Sequence, residues 1–222
     1  WYQGEGNSGR YQNYMKLMNG LIKNWRDEWG LGDFPFYFVQ LAPNGSLGQG
    51  NGTSQAFLRE AQLRTMLSVE NTGMAVTLDI GSTITNHPPE KLLIGKRLAY
   101  WALAKNYGFN SLPYSGPVYE SMKVKNNKVY VNFKFAKNGV TSYGKPLSGF
   151  EIAGEDKIFY SADASIDPHW SAGWENRSVL TLSNKNVPNP LYIRYGWKNY
   201  IEGALYNVEG LPASSFKSYD FD

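Results

Sequence analysis

Between residues 9 and 29, Tyr11, Met15, Met18, Ile22, Trp25 and Trp29 recur at steps of three and four. That spacing predicts an amphipathic helix with one apolar stripe. Gly30 and Gly32 end it. FPFYFVQLA, residues 34–42, is a continuous apolar run bounded by Gly and Pro, the pattern of a buried parallel strand. Residues 43–54, PNGSLGQGNGTS, read as a surface loop directly after it. Residues 55–69 return to helical spacing, with Phe57, Leu58, Ala61, Met66 and Leu67 expected inward. MAVTLDIG, residues 74–81, is a second buried strand. Pro88 and Pro89 open a third helix, with Ile94, Leu98, Trp101 and Ala102 inward. The opening WYQGE reads as a strand end running into a loop. This β-α-β-α-β-α order predicts a parallel sheet with right-handed crossovers.

The pattern changes near residue 108. GFNSLPYSGP carries two Gly and two Pro and reads as a linker. Beyond it the period is two. MKVKNNKVYVNFKF, residues 122–135, alternates around Asn126-Asn127, a hairpin signal. FEIAG, KIFYSADASI, RSVLTLS and PLYIRYGW add short strands, together predicting a small antiparallel β-sandwich.

Composition narrows the chemistry. A chain 42% hydrophobic and 18% charged is that of a folded protein rather than a disordered one. The net charge is +3, with no basic run, so no nucleic-acid footprint is expected. Cysteine is absent, which excludes thiol nucleophiles, disulfides and thiolate metal sites, and agrees with a bacterial secreted or periplasmic protein. No apolar run approaches the roughly 20 residues of a membrane helix, so no membrane partner is expected. Only His87 and His169 can serve a histidine mechanism within the chain.

In parallel α/β sheets, ligands bind where the carboxyl ends of the strands line up. Three segments end there: one carrying Gln3, Glu5 and Asn7, the 43–54 loop, and one carrying Asp79 and the His87 loop. A histidine titrates near neutral pH and suits proton transfer. Without that role, His87 is a loop residue ahead of a helix. Asp79 can equally be a buried structural carboxylate. In DPHWSAGWENR, Trp170 and Trp174 beside His169 read as rings packed on the β-domain, or as a sugar platform. One histidine and scattered carboxylates make no metal-ligand set, so neither metal nor cofactor is expected.

WYQGEGN, FPFYFVQLAP, LREAQ (58–62), TGMAVTLDIG and HPPEKLLIGKRLAYWALA together resemble the sialate O-acetylesterase family, carbohydrate esterases of the SGNH-hydrolase superfamily. GPVYESMKV, LSGFEIAG, IRYGW and LYNVEGLPASSF look like that family's terminal β-domain. The resemblance implies residues 1–108 as the C-terminal part of a three-layer SGNH/flavodoxin-like esterase domain, 109–117 as linker and 118–222 as β-sandwich. It implies hydrolysis of acetyl esters on an acetylated sugar or glycan by a serine nucleophile, a histidine base and an orienting acid. His87 matches the family histidine. Gly4 and Asn7 fall in the block that supplies oxyanion donors.

The chain departs from the family in three ways. It contains no Gly-Gln-Ser-Asn type segment; Gly6 stands where the family has serine; Ser82 and Thr85 stand where many members carry aspartates. Glu5 is therefore the first choice to orient His87, as in related esterases where a QGE glutamate serves the histidine. Asp79 is second, and Thr85 offers a hydrogen bond but no charge. Ser8 and Ser82 lie in no nucleophile elbow. The expectation is that the nucleophile comes from an N-terminal segment, possible as a separate chain, and that this chain alone is inactive. The competing reading is a non-catalytic carbohydrate-binding protein with the esterase fold. A glycosidase pairing Glu5 with Asp79 leaves His87 unexplained.

Overall fold

The computed structural model describes residues 1–166 and 179–221. His169 and its tryptophan-rich stretch lie outside the described residues. The chain forms two compact units, Trp1–Ser115 with Lys198–Ile201, and Gly116–Trp197 with Glu202–Asp222.

In the first unit, β1 (Phe36–Val39) and β2 (Thr72–Ala75) pair in parallel, from Phe36 opposite Thr72 to Val39 opposite Ala75. Tyr2 extends this parallel set by a bridge to Val39, and the Trp1 carbonyl accepts from the Val39 amide at 2.9 Å. Farther along, Asn44 and Ser82 form another parallel bridge. The strands are shorter than the apolar runs that encode them. Side chains of Phe38, Leu41 and Leu78 remain at 0–1% exposure all the same.

Three helices cover these strands: α1 (Tyr14–Trp29), α2 (Ser54–Ser68) and α3 (Lys91–Asn106). The helix expected from residue 9 begins at Tyr14. Glu5–Asn13 winds instead as a 3-10 helix, broken at Arg10 with φ −137° and ψ 36°. Gly6, Asn7, Ser8 and Gly9 are poor α-helix formers, which accounts for the delay. In α1, Met18 and Ile22 are buried as expected, Tyr14 and Arg26 are buried in place of Met15 and Trp25, and Trp29 is 59% exposed. Arg26 earns its burial by donating to the carbonyls of Phe34, Glu70 and Asn71.

Helix α2 departs further. Leu58 is buried as expected, but Leu67 is 56% exposed, and Gln55, Arg59, Glu60, Gln62 and Thr65 occupy the buried face. Its buried face combines Ala56, Leu58 and Leu63 with polar groups that find partners, Gln62 on the Leu41 amide and Arg59 on the Lys198 carbonyl. In α3, Ile94 and Trp101 are buried as expected; Arg97 and Ala104 complete the stripe in place of Leu98 and Ala102. Trp101 lies flat on β2, where a Cβ at Gly73 would come within 2.5 Å of its ring. Among the described residues, no helix is long and apolar enough to cross a membrane.

The second unit is all β. β3 (Val118–Lys125) and β4 (Lys128–Lys134) form a hairpin closed by Asn126 and Asn127, with φ of 51° and 61°. Asparagine tolerates that left-handed region better than most residues. With β8 (Asp163–Ile166) and β9 (Leu180–Ser183) they make an antiparallel sheet in the order β3-β4-β9-β8. β6 (Phe150–Ala153), β7 (Tyr160–Ser161), β10 (Tyr192–Tyr195) and β12 (Phe216–Lys217) make a second, ordered β12-β10-β6-β7. β5 (Val140–Thr141) pairs with β11 (Tyr206–Asn207). Phe216 stacks on Tyr119 of β3 and meets Phe133 of β4 edge-on, linking the two larger sheets.

Candidate functional site

Parallel strands deliver their carboxyl ends to one edge. Tyr2 leads there into Gly4–Asn7, β1 into residues 43–54, and β2 into residues 76–87. Lys91, four residues beyond His87, places its ammonium 5.3 Å from the Tyr2 ring. The N-terminal loop and the start of α3 therefore share that edge.

Gly4 is buried against α2: a Cβ there would meet Leu58 Cδ2 at 2.8 Å. Its carbonyl accepts from the Asn7 amide at 2.8 Å, closing the turn that presents Asn7. Gln3 Nε2 donates to Asn7 Oδ1 at 2.7 Å. This contact sets the Asn7 side chain: its acceptor faces Gln3, and among the described residues its Nδ2 donates to no partner, as an oxyanion donor requires.

The orientation of Gln3 traces back to α2. The Leu41 amide can only donate, and it donates to Gln62 Oε1 at 2.8 Å. Gln62 Nε2 therefore faces the carbonyls of Gln3 and Val39, at 3.2 and 3.4 Å, and the Tyr14 hydroxyl at 3.5 Å. Tyr14 in turn donates toward Gln3, 3.0 Å from its carbonyl and 3.3 Å from Oε1. Burial pushes the Tyr14 hydroxyl above its usual range, so it stays protonated at neutral pH. Sequence reading missed Tyr14 and Gln62 in this role. A polar residue at an inward helical position, such as Gln62, was the available signal.

His87 is exposed, and its backbone amide donates to Thr85 Oγ1 at 3.1 Å. Ser82 Oγ accepts from the amides of Ile84 and Thr85 at 3.2 and 3.3 Å. Thr85 thus supports the His87 backbone rather than its ring. Both hydroxyls perform the turn-forming work that an aspartate would also perform, but they carry no charge.

The two expected acids sit differently. Asp79 forms a bidentate pair with Arg97 of α3, at 2.8 and 2.7 Å, with side-chain exposures of 8% and 4%. Both its oxygens are committed to α3, so Asp79 holds the fold rather than His87. Glu5 opens the 3-10 helix, half-buried, with its charge near enough to raise the Tyr2 phenol beyond the effect of burial. Among the described residues, Glu5 and His87 share neither a hydrogen bond nor an ion pair; the direct contact expected from sequence is not formed. Ser8 Oγ donates to the Glu5 carbonyl at 2.8 Å, which fits a turn residue. Among the described residues, no group of three or more carboxylates and histidines gathers that could hold a metal.

Comparison with known proteins bears on the family of the chain. A family model described as "Carbohydrate esterase, sialic acid-specific acetylesterase" matches residues 1–103. The chain is 30% identical over 256 residues to the sialate O-acetylesterases of Pongo abelii and Homo sapiens, covering all of this chain and 46% of each relative. It also superposes on a carbohydrate acetylesterase from Xanthomonas citri with a TM-score of 0.87 and 34% identity, covering all of this chain and 49% of that one. The chain spans about half the length of these relatives.

Proposed function

This chain belongs to the sialate O-acetylesterase family, and from that premise we propose that it supplies the histidine and oxyanion walls of a carbohydrate O-acetylesterase. We read its first unit as part of a three-layer SGNH-type α/β sheet and its second as a β-sandwich. The substrate is an acetyl ester on sialic acid or on a polysaccharide sugar. The observation that carries the reading is the convergence of the Asn7 and His87 loops at one edge of parallel strands.

The roles follow from the chemistry. A serine Oγ attacks the acetyl carbonyl while His87 takes its proton. The carbonyl oxygen becomes an oxyanion, received by the Asn7 Nδ2 and the Gly4 amide. The tetrahedral intermediate collapses, and the proton on His87 passes to the departing sugar hydroxyl. Water, deprotonated by His87, then attacks the acyl-serine; collapse releases acetate, and His87 returns the proton to the serine oxygen. Glu5 is the acid assigned to His87, because it is the carboxylate carried by the Gly4–Asn7 loop at that edge. The serine is assigned to a segment outside these 222 residues, since Ser8 and Ser82 spend their hydroxyls on local backbone.

A chimera tests this. The chain is joined to the part of the Xanthomonas citri enzyme that the match leaves uncovered, and assayed with 4-nitrophenyl acetate and acetylated sugars. The chimera turns over, and His87→Ala lowers the rate roughly 100- to 10,000-fold. The 222-residue chain alone gives no turnover. Turnover by that chain that survives His87→Ala would overturn the assignment.

The second reading, a non-catalytic carbohydrate-binding protein, draws support from Asp79 being held by Arg97 and from the open Glu5–His87 pair. It predicts a chimera that binds acetylated sugar without hydrolysing it.

A further inference from the structure

Lys198–Ile201 follows β10 by three residues yet belongs to the first unit. Asn199 is 4% exposed and uses all four of its polar groups. Its backbone N–H donates to the Gly52 carbonyl at 2.5 Å, and its carbonyl accepts from the Asn44 amide at 3.0 Å and from Arg59 Nη1 at 3.4 Å. Its side-chain Oδ1 accepts from the Gln55 amide at 2.9 Å and the Ser54 hydroxyl at 3.5 Å, while Nδ2 donates to the Gln49 carbonyl at 2.9 Å. One residue thus ties the start, the middle and the end of the 43–54 loop.

Its neighbours strengthen the clamp. Arg59, fully buried, donates to the Lys198 carbonyl; burial pushes its guanidinium down to about 9, so it remains a cation near neutrality. The Tyr200 amide donates to the Gly50 carbonyl at 3.0 Å. A Cβ at Gly45 or Gly50 would stand 3.2 or 3.3 Å from Tyr200 Cβ, so the glycines let the loop lie against that side chain. At Gly52 a Cβ would approach Asn199 Nδ2 to 2.6 Å.

The clamped loop in turn holds the His87 loop. The Gly45 amide donates to the Ser82 carbonyl at 2.9 Å, and the Ser82 amide donates to the Pro43 carbonyl at 3.0 Å. Ser82 Oγ then orders Thr85, and Thr85 Oγ1 orders the His87 backbone. Hydrogen bonds run without a break from Asn199 through Asn44 and Ser82 to His87.

We propose that Asn199 is a positioning residue for His87, acting through the 43–54 loop. The proposal deepens the esterase reading and rests on His87 being the base. It also gives the loop a rigid shape in the free protein, so the sugar meets a preformed wall rather than a mobile one.

Backbone amide exchange in the 222-residue chain tests the placement without any need for activity. Asn199→Ala raises exchange about tenfold or more at Gln55, Gly45 and Ser82, and at Thr85 and His87, while the β3–β4 hairpin amides stay as in wild type. Faster exchange confined to residues 49–55, with Ser82, Thr85 and His87 unchanged, overturns the coupling. Asn199→Asp keeps the Oδ1 acceptor and loses the donor to Gln49, so it serves if the alanine variant fails to fold; it opens the loop at Gln49 first, with a smaller change at Ser82. In the chimera, assayed well below the melting temperature of the variant, Asn199→Ala lowers kcat about tenfold with a smaller change in KM. An unchanged kcat in a folded variant overturns the positioning role. If instead His87→Ala leaves the chimera fully active, the assignment of His87 as the base fails, whatever the exchange data say of the clamp.

Discussion

A side-chain amide has two faces that differ only in which atom donates, and at Asn7 the difference decides whether the proposed oxyanion role has a donor to draw on. The Leu41 amide orients Gln62, Gln62 and Tyr14 together orient Gln3, and Gln3 orients Asn7. Tyr14 is 3% exposed, and its hydroxyl is the group that favours Oε1 of Gln3 on the inner side. Tyr14→Phe removes it with little change in shape. The expected cost is about 1 kcal/mol of stability by urea unfolding. In the chimera, kcat is expected to fall roughly threefold to tenfold with KM unchanged, because the donor matters only as the oxyanion forms. An equal loss in kcat and gain in KM would place the effect on substrate binding instead. Gln3 and Asn7 were legible because they sit in one short motif. Tyr14 and Gln62 were not, since their partners lie 11 and 59 residues from them along the chain.

At the scale of elements, helices were readable by period and misread by face. Period reports spacing of apolar residues; face depends on what each helix is laid against. Helix α2 buries Gln62 and Arg59 because backbone groups elsewhere in the chain meet them, the Leu41 amide and the Lys198 carbonyl. Helix α3 is fastened to the end of β2 by the Arg97–Asp79 pair, with Arg97 also donating to the Val76 carbonyl at 2.7 Å. Asp79→Asn leaves a buried guanidinium with reduced compensation. It is expected to destabilise the fold by about 3–5 kcal/mol, the scale of a broken buried pair. The pH dependence of chimera activity is expected to keep its shape, since both Asp79 oxygens are paired with Arg97. A changed profile with little loss of stability would return Asp79 to the catalytic set.

Over the whole molecule, buried and partly buried phenols shape the response to alkali. Burial raises Tyr2, Tyr14, Tyr37 and Tyr119 above 10.0; Tyr2 reaches about 12, with Glu5 adding to the effect. The unfolded chain releases these protons from about pH 10, whereas the folded protein holds them. Their contribution is therefore complete below pH 10 and is lost as pH rises toward 12. Urea unfolding across that window should show falling stability, with a shallower fall in Tyr2→Phe, where Glu5 and the Lys91 ammonium are the charges facing the ring. An identical slope in the variant would remove Tyr2 from the account. The sequence by itself determined the alternation of strand and helix, the change to period two near residue 108, the hairpin at Asn126-Asn127 and the identity of the family, because each is written in neighbouring residues or in short motifs. Tertiary structure alone decided that Asp79 belongs to Arg97, that Gln62 governs Asn7, and that Asn199, more than a hundred residues from His87, closes on the loop beside it. Those contacts depend on which backbone donors and acceptors folding leaves without a strand or helix partner, and no local pattern records that.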